Sequence, residues 1–211
     1  MRWTEFAVKE ARITLAAWEA RVGPLTPPIA VDDLADLLYL LAIDVTRDLP
    51  RDLAGRLYAE QQIIEVRCSD SPRRQRFTIA HEIGHYRLHV IAEGALSSSY
   101  TCNDAAIGDN GEGVYPPMLR ESPLPGFAQP QSETPSRISE RDIRRREIEA
   151  NAFAVELLMP AHLVEHAVNR YGPTISELAD LFAVSHQAMH YRLEKLLFLP
   201  PPGPQMSFFN E

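Results

Sequence analysis

At 211 residues, with 45% hydrophobic and 24% charged side chains, the chain is long enough for one domain, or one plus a small appendage, around a real core. Its net charge of −8 argues against an extended nucleic-acid surface, and it holds no 18-residue apolar run able to span a bilayer. Cys68 and Cys102 lie far apart with no C-x-x-C pair, and Met1–Glu5 lacks the basic-then-apolar pattern of a secretory leader, so a reducing cytoplasm is expected.

Trp3, Phe6, Glu10, Ile13, Ala17 and Trp18 recur at helical spacing, which predicts an amphipathic helix over 3–22, stopped by Gly23-Pro24. Packing on the core is favoured over covering a cleft. Asp32 or Asp33 is expected to cap a second helix running to about Leu41. Ile43–Thr46, Leu57–Ala59 and Ile63–Cys68 read as short strands, the last two joined through Glu60-Gln61-Gln62. Cys68 reads as a small buried hydrophobe. Asp70-Ser71-Pro72 makes a turn, and Arg73, Arg74 and Arg76 read as a solvated basic patch, with binding of an acidic substrate segment as the second choice.

The next stretch carries the chemistry. Phe77–His85 contains His81-Glu82-Ile83-Gly84-His85, an H-E-x-x-H pattern in helix-compatible sequence. Histidines four residues apart lie on one helix face and can share one Zn²⁺ at about 2.0–2.1 Å each. Glu82, next to the first ligand, is placed to take a proton from a metal-activated water. Ile79, Ala80 and Ile83 make part of this helix apolar. Gly84, costly by about 1 kcal/mol in a helix, marks a close backbone or ligand approach. His89, eight residues after His81, falls near the same face, either orienting substrate or stabilising an oxyanion, or as a hydrogen-bonded core histidine.

Residues 93–140 are rich in proline, glycine and serine and read as a long loop bordering the cleft, a lid or substrate-selection segment. Cys102 within it is read as an ordinary loop cysteine rather than a thiolate latch on the metal. A strong helix follows from about Arg141 to Met159, ending before Pro160. On it Ile143, Glu147, Ala150, Ala154 and Leu157 share one side, at about 100° per residue. A carboxylate on that apolar side is expensive unless paired or bound to a metal, which makes Glu147 the candidate third ligand. Glu149 is the rival, on the side of Arg145 and Glu156, where a solvated charge is the favoured reading. Asn151 can accept from the far N–H of a ligating imidazole. Ala150 and Ala154 are small enough for close packing against the His81–His85 helix. Residues 174–198 read as helix, short turn at Ala183-Val184-Ser185, helix. Glu177, Asp180 and Glu194 against Arg192 and Lys195 leave this pair slightly acidic, so a structural or partner-docking role is favoured over DNA binding. From Pro200 the chain reads as an extended polyproline tail.

Arg74–His85 with Leu88-His89, then Glu147-x-Glu149-Ala150-Asn151-x-Phe153-Ala154-x-x-Leu157-Leu158-Met159-Pro160, resembles the ImmA/IrrE family of metallopeptidases over most of residues 30–200. The resemblance implies an α+β fold of the minimal zincin, thermolysin-like type. That means a small antiparallel sheet, a strand along the cleft edge able to bind extended substrate, and the helix-turn-helix-like segment behind it. It implies His81, His85 and Glu147 as zinc ligands, Glu82 as base and acid, and a cytoplasmic endopeptidase that cleaves a helix-turn-helix repressor. Manganese or cobalt also suits a His₂Glu set. The expected organisation is a metallopeptidase domain over 1–170 with 93–140 inserted, a helical segment over 171–199 and a tail over 200–211. The His85-to-Glu147 spacing is long for the family, and a chain ending at residue 211 leaves no room for a sensor domain, which favours the short, ImmA-like form. The alternative is a regulator, antitoxin-like, that binds a partner or DNA without cutting.

Overall fold

The computed structural model describes residues 3–92, 94, 99–103 and 139–199. Among them are α1 (Trp3–Val22), α2 (Val31–Tyr39), β1 (Ala42–Thr46), β2 (Leu53–Tyr58), β3 (Ile63–Arg67) and α3 (Pro72–His85). A π-helical turn, Tyr86–Ile91, extends α3. Then come β4 (Ser99–Asn103), α4 (Glu140–Leu158), α5 (Ala161–Tyr171), α6 (Ile175–Phe182) and α7 (His186–Lys195). No helix of the described residues is long and apolar enough to cross a membrane.

The class is α+β, as expected, but the sheet is mixed rather than antiparallel. Its order is β1-β3-β2-β4, with β1 parallel to β3 and β2 antiparallel to both β3 and β4. The β2–β3 hairpin supplies the antiparallel part, and β1 docks on its far side. β2 begins four residues before the sequence pattern suggests. Ala54 and Gly55 are poor strand formers, but β2 is a central strand and Leu53, Ala54 and Gly55 are all buried. Residues 99–103, assigned by sequence to the long loop, form the outer strand β4. The edges are therefore β1 and β4, not the β2–β3 hairpin. The rest of the 93–140 segment apart from its ends, the side chain of Cys102 and the tail from residue 200 lie outside the described residues.

The helices stack outward from the sheet. α3 packs on β2 and β3, α4 crosses α3, and α1 crosses α4. The buried stripe of α1 is Ala7, Ala11, Thr14, Leu15 and Trp18, a period of 3.6 but rotated from the face predicted. Trp3, Phe6 and Ile13 are exposed, because the small stripe lets α1 approach α4 closely. α2 starts from Ala30 with no side-chain cap, so Asp32 and Asp33 sit in its first turn instead. Cys68 lies just past β3 and is half-buried, not a core residue.

Since α1 covers the outer side of α4, that side is not solvated. Glu156 is buried and accepts from Arg12 Nε (2.8 Å) and Arg192 Nη2 (2.5 Å), while Arg192 Nε donates to the Met159 carbonyl (2.9 Å). Arg192 therefore ties α7 to α4 from the interior and is not presented to a partner. At the other end, Arg73 of α3 pairs with Asp180 of α6. The basic patch of the sequence is dispersed the same way: Arg74 is buried against Asp70 (3.0 Å), and Arg76 donates to the Ile29 carbonyl (2.8 Å). Glu156→Ala would leave the Arg192 guanidinium buried without its carboxylate. A loss of about 3–5 kcal/mol is expected in urea unfolding, against under about 1 kcal/mol for Arg12→Ala, whose side chain is 62% exposed.

Candidate metal centre

α3 starts at Ser71, whose hydroxyl accepts from the Arg74 N–H (3.3 Å), with Pro72 at the first helical position. From Phe77 onward every residue of α3 is buried, because β2 and β3 lie on one side and α4 on the other. Two glycines make this possible. A Cβ at Gly55 of β2 would stand 2.3 Å from Thr78 Cγ2 and 3.4 Å from Glu82 Oε1. A Cβ at Gly84 would meet Ala150 Cα, the Ala150 carbonyl and Phe153 Cδ1, each at 3.2 Å. The close approach expected at Gly84 is thus the crossing of α3 and α4, with Ala150 and Ala154 on the facing surface.

That crossing brings three side chains together. His81 Nε2 and His85 Nε2 are 3.0 Å apart, and Glu147 reaches both, Oε2 to His81 Nε2 at 3.3 Å and Oε1 to His85 Nε2 at 3.2 Å. Both histidines are fully buried; Glu147 is 24% exposed, so the cluster opens to one side. Three donors at 2.0–2.1 Å from one tetrahedral ion stand about 3.3 Å apart. The separations fit such an ion, and these are the residues among those described that meet within metal-binding range. His81 Nδ1 donates to Asn151 Oδ1 (2.9 Å), as the sequence reading expects; that bond fixes the tautomer and leaves the Nε2 lone pair facing the cluster.

Glu82 completes the argument for a cation. It is fully buried, and among the described residues neither carboxylate oxygen has a hydrogen-bond partner. Burial pushes its pKa up to about 8, with His81 opposing and Glu147 adding to the rise. An ionised carboxylate buried without a partner is strongly disfavoured unless positive charge is near. Burial also works against ionised Glu147, but the two histidine rings facing it outweigh that and hold its carboxyl below the usual range. His85 is pushed down by its own burial. A neutral His85 and an ionised Glu147, the states these shifts favour, are ones that metal ligation requires.

Glu149 is not the solvated charge that its helix position suggests. It is 3% exposed, accepts from Arg145 Nε (2.9 Å) and stands 4.0 Å from His89 Nε2. α1 causes this burial: Trp3 stacks under the Arg145 guanidinium at 5.4 Å and closes that side. Among the described residues it is Glu147, not Glu149, that meets His81 and His85 within metal-binding range. His89 is buried, 3.4 Å from the Arg146 carbonyl, its pKa driven down to about 3 mainly by burial and by His85. It is a hydrogen-bonded interior histidine. Gly55 escaped the sequence reading; its signal was a lone glycine inside the strand pattern Leu53-Ala54-Gly55-Arg56-Leu57.

Comparison with known proteins agrees with this geometry. Residues 42–106 and 129–194, well over half the chain, match the IrrE N-terminal-like domain of peptidase family M78. The chain is 29% identical over 127 residues to the radiation response metalloprotease IrrE of Deinococcus deserti, covering 60% of this chain and 33% of that protein. It thus spans about a third of the curated relative's length. The fold also resembles a Mycobacterium tuberculosis transcriptional regulator, with a TM-score of 0.55 and 15% identity over 90% of this chain and 46% of that one. The chain belongs to the IrrE N-terminal-like family of metallopeptidases, peptidase family M78.

Proposed function

We propose that the protein is a zinc endopeptidase of the zincin type, with His81, His85 and Glu147 as metal ligands and Glu82 as the proton-transfer group. The observation that carries this reading is a buried, partnerless Glu82 beside three donors spaced for one ion. The family implies a metal; a buried His₂Glu set suits zinc, and manganese or cobalt is an acceptable substitute. When bound, such an ion supplies Lewis acidity that activates water and polarises a peptide carbonyl.

The chain's own residues do the rest. Asn151 holds His81 in the tautomer that keeps Nε2 free to ligate. Glu82 takes a proton from the attacking water at its carboxylate and delivers it to the amine of the leaving segment. A carboxylate whose pKa is set near neutrality by burial can do both. β4, next to β2 and outermost among the described strands, is the edge along which an extended substrate segment would pair. The substrate in this reading is a helix-turn-helix repressor in the cytoplasm, cut in an extended loop, as in the family the chain joins.

The alternative, a regulator that binds without cutting, draws on the α6–α7 pair. It has less support: Arg192, the natural DNA-facing candidate, is buried on Glu156, and a purely structural site has no use for a base such as Glu82.

Two variants test the reading. Glu82→Gln keeps the shape and the ligands, and is expected to lower cleavage of a repressor substrate by at least about 10²-fold while zinc affinity stays; full cleavage by this variant contradicts it. Asn151→Ala is expected to weaken zinc binding about 10- to 100-fold in competition with a chromophoric chelator.

A further inference from the structure

The N-terminal turns of α4, which carry Glu147, emerge from the core. Residues 140–144 are exposed and 145–148 only half-buried, whereas 149–151 and 153–158 are buried. A ligand on such a turn needs its helix fixed in both position and rotation. Ala150, one turn after Glu147, is fixed in position by the backbone contact at Gly84. That contact lies after Glu147; the half-buried turn before it is held by others, Trp3 under Arg145 among them.

The second fixed point is on the other side of Glu147. The extension of α3 after His85 is a π-helical turn, Tyr86–Ile91. Its wider i→i+5 pattern keeps His89 on the side of His85 rather than letting it advance around the axis. The two rings lie 5.2 Å apart, and His89 Nε2 reaches the carbonyl of Arg146, the residue directly before Glu147. The hydrogen bond from His89 goes to the backbone that carries Glu147. Glu149, 4.0 Å from the same nitrogen and held by Arg145, flanks the bond.

We infer that His89 is a positioning residue for the third ligand: its Nε2–H, donated to the Arg146 carbonyl, pins the Glu147 turn of α4 to the π-helical extension of α3. This rests on Glu147 being a ligand, and it assigns His89 no contact with metal or substrate.

The test is Zn²⁺ affinity of the full chain, measured against a chromophoric chelator, with Co²⁺ absorption spectra as a second readout. His89→Phe keeps a ring of similar bulk and loses the donor; His89→Leu is a second donorless variant; His89→Gln restores an N–H. The donorless variants are expected to bind Zn²⁺ about 10- to 100-fold more weakly and to shift the Co²⁺ spectrum. His89→Gln should recover most of the affinity. Wild-type affinity in His89→Phe and His89→Leu, or a His89→Gln as weak as either, overturns the inference. Glu147→Ala separates the two levels: if it weakens binding while His89→Phe does not, only the role of His89 fails. If Glu147→Ala also binds as wild type does, the ligand assignment fails and the inference with it.

Discussion

The structure depends on one close crossing, that of α3 and α4 at Gly84 and Ala150. A methyl group at Gly84 would stand 3.2 Å from the Ala150 backbone, which would have to give by a few tenths of an ångström. The approach lets a carboxylate on one helix reach two imidazoles on the other at 3.2 and 3.3 Å. Enlarging Gly84 would press on the Ala150 backbone and on Phe153, since interiors packed to crystal density do not absorb an extra carbon without a shift. The glycine in H-E-x-G-H is as much part of the site as the letters that name the motif.

A second constraint is electrostatic. Glu82, Glu149 and Glu156 are all buried, but only the last two have cation partners among the described residues: Arg145, one turn before it on the same helix, for Glu149, and Arg12 of α1 with Arg192 of α7 for Glu156. The two pairs at Glu156 tie α1 and α7 to α4. Glu82 has no such partner among the described residues and stands next to the donor cluster instead. The contrast separates carboxylates that serve the fold from one that is kept available for chemistry.

What could be read from sequence follows the range of the interactions. The site was legible because its parts are local: two histidines and a glutamate on one helix, a carboxylate and an asparagine spaced a turn apart on another. The limits of α1 and α4 were legible from Gly23-Pro24 and Pro160. The burial of Glu149 and Glu156 was not, since it depends on α1 covering the far side of α4 from more than a hundred residues away. β2 was cut short because Ala54 and Gly55 lack strand propensity, which burial on a central strand overrides. β4 was lost within a proline- and glycine-rich stretch, and the parallel pairing of β1 with β3 carries no local signal at all. The basic run before α3 looked like a surface patch because sequence shows charges but not the Asp70, Asp180 and Ile29 groups that receive them.

The central claim is that one metal ion sits between α3 and α4 with Glu147, and not Glu149, as the carboxylate ligand. Metal content by elemental mass spectrometry, on wild type, Glu147→Ala and Glu149→Ala, tests it most directly. The account expects about one zinc per chain in wild type and in Glu149→Ala, and its loss in Glu147→Ala. Zinc retained in Glu147→Ala, or no metal in the wild-type protein, would contradict it.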